Sequence, residues 1–408
     1  MKKLLIFVLV ISSLTIAQAQ SDLSIMDKLR LSGYFENEIM GQEQRGDYFL
    51  IDYNKLRIDL NAKIDEHFSF SGNVNFKTYH GKTELNILDY LPESTVNDYY
   101  NFLGTNAGLT PGEIRPQFEY NMLNDIFLDN AYVSYYSKIL NVRVGKQQLP
   151  WGTGYMWNPT NIFHKKDMLD PTYEQVGVNA VKVEMPFKGE GMLTGIISTN
   201  DKFNNSTYAL KVKKYLTGFD VSLSYVYYEY STTDFYTFSE LKENRQQIGG
   251  DFSGSIGGVG VYGEAVYRMK TGKNGAANYG NYVFGLNYFF ENGLYLMGEY
   301  YYNEKGKDDY KKYNINDWMN YMGKYAENLG QHYVFAGSRL PIGNYLNFST
   351  FFLYNISDNS GMFYPWIEYS LGDNTELMGT VYIPFGESVN TEFAGYGLGA
   401  MARIRVYF

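Results

Sequence analysis

The residues best suited to recognising a solute lie in one stretch, Leu149 to Val178, which reads LPWGTGYMWNPTNIFHKKDMLDPTYEQVGV. Half of the chain's four tryptophans are here. Trp151, Tyr155 and Trp157 offer ring faces, Gly152 and Gly154 permit sharp turning, and Asn158-Pro159 sets a turn. Lys165, Lys166, Asp167, Asp170 and Glu174 add charges of both signs. That mixture suits gripping or sieving a hydrophilic molecule. Covalent or metal chemistry finds little to work with. The chain has no cysteine, and its four histidines (His67, His80, His164 and His332) show no spacing to a serine or aspartate that would build a triad. Neither His-Glu-x-x-His nor Gly-x-Ser-x-Gly occurs. Asp308-Asp309 with Asp317 lacks the spacing of a calcium loop and reads as a solvated charge run. The chain is therefore expected to be no enzyme and to need no cofactor.

A second set of polar residues is spread through segments of alternating hydrophobicity. Arg57, Lys63, Lys77, Arg143, Lys211, Lys213, Arg268, Lys270, Arg403 and Arg405 fall on the polar faces, with Glu36, Glu38, Asp59, Glu264 and Glu299. Lining a pore, a basic ladder facing acids would set a transverse field and favour anions. The same charges could instead pair and merely keep an interior wet and rigid.

The elements that must position these residues are strands. Period-2 alternation marks eighteen of them: 31–40, 53–64, 67–79, 126–137, 139–149, 176–187, 190–200, 207–216, 218–230, 245–256, 258–270, 279–291, 293–303, 330–341, 343–355, 360–371, 375–386 and 393–408. Leu56, Ile58, Leu60, Ala62 and Ile64 share one face, and Lys55, Arg57, Asp59, Asn61 and Lys63 the other. Phe219, Val221, Leu223, Tyr225 and Tyr227 oppose Asp220, Ser222 and Ser224 in the same way. The connections sort by parity. After even strands they are tight, as at 65–66, 188–189, 217–218 and 257–258; after odd strands most are long, as at 41–52, 80–125, 150–175, 231–244 and 304–329. A soluble sandwich has no reason to sort its loops this way. The pattern predicts an all-β, up-and-down antiparallel transmembrane barrel of about eighteen strands, sixteen being the nearest alternative, with short periplasmic turns and long extracellular loops. A barrel of that size leaves an aqueous interior. Three local irregularities are expected: a bulge near Ala180, and weak pairing at Pro341 and Pro365. No helical domain is expected.

The two ends and the composition agree. Lys2 and Lys3, the apolar run Leu4–Ile11 and Ala17-Gln18-Ala19 read as a secretory signal peptide over 1–19, leaving 20–408 as the barrel. Mean hydropathy is −0.34, yet there are 41 tyrosines and 27 phenylalanines, the material of interfacial girdles. A net charge of −9 argues against a nucleic-acid partner. The last strand alternates to an aromatic end, GYGLGAMARIRVYF, and resembles the C-terminal signature of bacterial outer-membrane β-barrels, which the barrel-assembly machinery reads through a final Phe, here Phe408. The segment GKQQLPWGTG…NPTNIF is similar to the strand and following loop of several Gram-negative porin families, including specific-uptake porins and the alginate-export type. That resemblance implies a bacterial outer-membrane location, contact with bilayer and lipopolysaccharide, and a loop at 150–175 that folds inward as a constriction for a small hydrophilic solute. The residues alone also allow this loop to pack outside on the rim. Two other roles fit the same barrel: an export channel for an anionic polysaccharide, and an adhesin or receptor displaying 80–125 and 304–329.

Overall fold

Alternation of lipid-facing and lumen-facing residues leaves the backbone of each strand only one way to satisfy its polar groups in a bilayer, which is pairing on both sides with no free edge. The computed structural model describes residues 28–44, 46–164, 166, 175–200, 202–203, 205–271, 277–323 and 328–408. The segment assigned to the signal peptide, 1–19, lies outside the described residues, as do Lys165 and Asp167.

Eighteen antiparallel strands close on themselves. They are β1 (Leu29–Gln44), β2 (Asp47–Lys63), β3 (Phe68–Gly81), β4 in two pieces (Asp125–Phe127 and Ala131–Tyr136), β5 (Asn141–Gln147) and β6 (Val178–Phe187). Next come β7 (Gly191–Thr199), β8 (Ser206–Leu216), β9 (Phe219–Asp234), β10 (Ser239–Ile256), β11 (Val259–Thr271) and β12 (Tyr279–Phe289). The last are β13 (Tyr295–Asn303), β14 (His332–Ile342), β15 (Leu346–Asn355), β16 (Ser360–Gly372), β17 (Thr375–Gly386) and β18 (Gly399–Tyr407). Each pairs with its sequence neighbours, and β1 closes against β18 from Tyr34↔Tyr407 to Gln42↔Gly399. The outward faces carry the expected apolar sets, with Leu56, Leu223, Tyr267 and Val406 all exposed. Exposed aromatics gather at the two strand ends. Phe187, Tyr215, Phe289, Tyr345 and Phe408 lie toward the short-turn rim, and Tyr208, Tyr267, Tyr282 and Tyr300 toward the long-loop rim, where a ring in lipid and a hydroxyl in water are both satisfied.

Four departures from the sequence reading have physical causes. The 41–52 connection is mostly ladder: β1 and β2 stay paired to Gln44↔Asp47, where Gly46 takes a left-handed φ of 86°. Strands β9 and β10 likewise stay paired to Asp234↔Ser239, shortening 231–244 to a four-residue turn, 235–238. Strand β4 is broken at 128–130 because the Asn73 side chain accepts from the backbone N–H groups of Asp129 and Asn130 (3.0 and 3.1 Å) and takes the place of the ladder. There is no bulge near Ala180. The register of β6 runs unbroken against β5 and β7, and Val178 and Ala180 both turn inward, against an apolar patch of Leu149, Trp151, Ile196 and Val226. The alternation fails there because part of the inner wall is covered by protein. The two prolines differ: Pro341 keeps its register opposite Asn347 near the end of β14, whereas the weak pairing expected at Pro365 is present. Pairing of β16 with β17 skips 364–365, and Thr380 Oγ1 donates to the Pro365 carbonyl (2.9 Å).

The long-loop rim also carries helices that the strand reading did not anticipate. Helix α1 (Glu93–Ala107) buries Val96, Tyr99 and Leu103, an i, i+3, i+7 stripe. Helix α2 (Ile315–Met322) starts in a capping box formed by Asn314 and Asp317 and buries Ile315, Trp318 and Met319. The two share one apolar cluster with Phe118, Tyr313 and Leu329. Tyr99 Oη donates to the Phe235 carbonyl (2.8 Å), and the Phe235 N–H donates to Asn316 Oδ1 (2.7 Å). Three loops are thereby stitched into one cap.

Candidate functional site

The loop after β5 folds inward, and two glutamates on the lumen face hold it. Glu264 on β11 accepts at Oε1 from the backbone N–H groups of Thr153 and Gly154 (2.6 Å for Gly154), and at Oε2 from the N–H and hydroxyl of Thr160 (3.0 and 2.7 Å). Glu299 on β13 accepts from the N–H groups of Tyr155, Met156 (2.7 Å) and Trp157 (3.3 Å). Both carboxylates are buried. A buried carboxylate is tolerable only when donors fill its lone pairs, and here the loop backbone supplies them.

The loop residues have the conformations these contacts demand. Gly152 has a φ of 91°, and a Cβ there would stand 2.5 Å from Glu264 Oε1 and 2.6 Å from Thr160 Oγ1. A Cβ on Gly154 would strike the Trp157 carbonyl at 1.9 Å. The aromatics that follow pack against the wall. Trp157 stacks on Tyr301 (centroids 5.1 Å apart), its Nε1–H donates to Asn328 Oδ1 (2.8 Å), and Tyr155 stacks on Phe335 (5.7 Å). Trp151 packs edge-on against Phe163, with the Lys211 ammonium 5.2 Å from its ring centroid. Asn158 anchors a tight turn by accepting the Asn161 N–H at its carbonyl (3.0 Å). Lys166 donates to the carbonyls of Gly154 (2.7 Å) and Tyr155. Arg268 donates to the Pro159 carbonyl (2.8 Å), and Gln247 Nε2 to that of Thr160 (3.0 Å).

The wall charges mostly find each other. Arg403 pairs with Glu38, Arg405 with Glu36, Arg57 with Asp59 (2.9 Å), Lys211 with Asp251 (2.7 Å) and Lys213 with Asp220 (3.0 Å). Glu264 faces inward but is covered by the loop, so it fastens that loop and is not exposed to the lumen. Arg143 stacks on Tyr132 (4.4 Å) and donates to Ser134 Oγ (3.3 Å). The Lys77 ammonium lies 3.8 Å from the ring centroid of Tyr53. Lys63 is exposed at the short-turn end of β2. Among the described residues no three His, Cys, Asp or Glu side chains come close enough to hold a metal ion.

A second lock escaped the sequence reading. Glu392, in the loop between β17 and β18, is fully buried; it accepts from Tyr333 Oη and from Asn355 Nδ2 (2.7 Å), and lies by Asn328 (3.2 Å). Asp358 accepts the Glu392 N–H (2.8 Å) and the Tyr313 hydroxyl (3.1 Å). Burial, reinforced by the Asp358 charge, pushes the Glu392 carboxyl up to about 8. Asp358 is raised too, chiefly by burial. No period marks a single glutamate in a loop, so this residue had no local signal.

No known protein family's sequence profile matches the chain, and no curated protein matches it by sequence. Its fold is nonetheless shared with solved structures. OccK5 (OpdH) of Pseudomonas aeruginosa superposes with a TM-score of 0.55 at 8% identity, covering 94% of this chain and 98% of that one. OccK11 (OpdR) of the same organism gives 0.55 at 9% identity, over 94% and 96%. Wzi of Escherichia coli, an outer-membrane carbohydrate-binding β-barrel involved in group 1 capsule assembly, gives 0.54 at 13% identity, over 95% and 86%. The chain therefore has the fold of a bacterial outer-membrane β-barrel.

Proposed function

We propose that the protein is an outer-membrane channel through which small hydrophilic solutes diffuse, with the 150–175 loop as its constriction. The observation that carries this reading is the fastening of residues 153–160 to Glu264 and Glu299, deep inside a barrel too wide for its own side chains to fill. A loop held by seven donor groups, from Thr153, Gly154, Tyr155, Met156, Trp157 and Thr160, is a fixed narrowing. Transport through it needs no chemical step. Half of the basic ladder (Arg57, Lys211, Lys213, Arg403 and Arg405) is neutralised by ion pairs, so a preference for anions rests on the remainder, among them Arg143, beside Ser134 and the Tyr132 ring, and Lys77, beside the Tyr53 ring. Export to the periplasm by the signal peptide over 1–19 and insertion by the barrel-assembly machinery through the strand ending at Phe408 belong to the same proposal.

The test is swelling of liposomes containing the purified barrel. Monosaccharides should enter faster than trisaccharides, and a small organic anion faster than a cation of equal size. Entry that ignores size would remove the constriction, and faster entry of cations would remove the anion preference.

A further inference from the structure

Between the tip of the constriction loop and the cap lies a chamber of about 340 Å³, bordered by Asn161 and Ile162 below and by Asp317 and Asn320 of α2 above. That volume falls in the range of small-molecule sites, roughly 300–1,000 Å³. Its lining carries four cations (Arg245, Arg268, Lys305 and Lys307) against two carboxylates (Glu229 and Asp317).

These cations are not equivalent. Arg245 is spoken for by Glu243, lies 3.7 Å from the centroid of Tyr230 and donates to Tyr279 Oη (3.0 Å). Arg268 is taken up by Gln247 Oε1 (2.9 Å) and the Pro159 carbonyl (2.8 Å). Lys305 has ring faces beside it, with its ammonium 5.7 Å from Tyr230 and 5.5 Å from Tyr279, and it feels the Glu243 and Asp317 charges only at longer range than an ion pair. Among the described residues neither Lys305 nor Lys307 forms an ion pair with a carboxylate. The chamber thus joins two available ammonium groups, two tyrosine faces, and an amide and a carboxylate at its margin.

We infer that this chamber binds an acidic sugar: a carboxylate between Lys305 and Lys307, the CH face of a pyranose on Tyr230 and Tyr279, and hydroxyls toward Asn320 and Glu229. A simple inorganic anion would use the lysines and leave the rings idle. An aromatic acid would use lysines and rings but give Asn320 and Glu229 nothing to exchange hydrogen bonds with. The inference rests on the channel reading above, since the chamber would load solute for the constriction below it.

The test is equilibrium binding to the folded barrel in detergent micelles by titration calorimetry, with D-glucuronate, D-glucose and acetate as probes. Glucuronate should bind at least tenfold more tightly than either, about the factor one charge-assisted contact supplies. The double variant Lys305→Gln/Lys307→Gln should lose that advantage and bind glucuronate no better than glucose. Heat-modifiable gel mobility confirms that the variant barrel stays folded. Tyr279→Ala should weaken both sugars and leave acetate unchanged. Equal binding of glucose and glucuronate to the wild type, acetate binding as tight as glucuronate, or full glucuronate affinity in the lysine variant would each overturn the inference. Conductance of the same preparation without sugar separates the two claims. A conducting barrel that ignores glucuronate removes the chamber alone, and a binding barrel that does not conduct removes the channel alone.

Discussion

Removing the Glu264 carboxylate should release the constriction loop without melting the barrel. In Glu264→Ala the donors of Thr153, Gly154 and Thr160 lose their acceptor inside the lumen. Each buried donor left unmade costs about 1–3 kcal/mol. Water enters the vacated space, so the four do not add in full, and loss of one partner from a buried charged network sets the scale at about 3–5 kcal/mol. Glu264→Gln keeps one carbonyl oxygen but turns an NH2 toward other donors, and should cost about half as much. Glu299 still grips Tyr155, Met156 and Trp157 in either variant. Full release therefore needs Glu264→Ala/Glu299→Ala, and the two effects should be non-additive because both carboxylates hold one loop. Single-channel conductance in a planar bilayer should rise in the order wild type, Gln, Ala, double variant. The thermal midpoint of the barrel, read from heat-modifiable mobility, should hold, because the interstrand ladders are untouched. A double variant with wild-type conductance would refute the reasoning.

Three further outcomes follow from the same geometry. Gly152→Ala forces a Cβ into the Glu264 carboxylate at a φ of 91°, so loop docking should weaken by about 1–3 kcal/mol, seen as a noisier and larger single-channel current. The chain has no cysteine, so Tyr155→Cys/Phe335→Cys, at a stacked pair 5.7 Å apart, should crosslink under oxidation in intact outer membranes and lock the loop; failure to crosslink would place the loop elsewhere. Glu392 is held near 8, so the folded state binds its proton more tightly than the unfolded one. Its contribution to docking of the 387–398 loop is full at low pH and is lost as the pH climbs toward and past 8. Protease nicking of that loop should increase over this window, Asp358 shifting in the same sense, and Glu392→Gln should reduce the pH dependence to the part that Asp358 contributes.

The barrel was legible because a membrane sheet repeats one rule through every strand: apolar toward lipid, polar toward water. Breaks in the rule came wherever protein replaced water inside. Val178 and Val181 suggested a bulge because both are apolar, but Val178 turns inward with Ala180 toward Trp151 and Leu149 while Val181 is exposed on the outer face. The cap was missed for a related reason. The stripe of Val96, Tyr99 and Leu103 and the Asn314–Asp317 capping box are ordinary helix signals, hidden in segments whose length alone marked them as loops. At the site, Gly152, Gly154 and the tryptophans marked a sharply turning aromatic loop, and its inward fold was an expectation from the resemblance to porins. Glu264 and Glu299 were visible as inward acids, but their part in fastening it was not, because it depends on strands more than a hundred residues away from the loop. Gln247, Asn328 and Glu392 carried no local pattern.

The central claim is that this closed barrel conducts through a fixed narrowing. Purified protein that shows heat-modifiable mobility should be added to a planar lipid bilayer in salt. The account predicts discrete, ohmic current steps of uniform size. A correctly folded, inserted barrel that passes no current at any voltage or pH would contradict it.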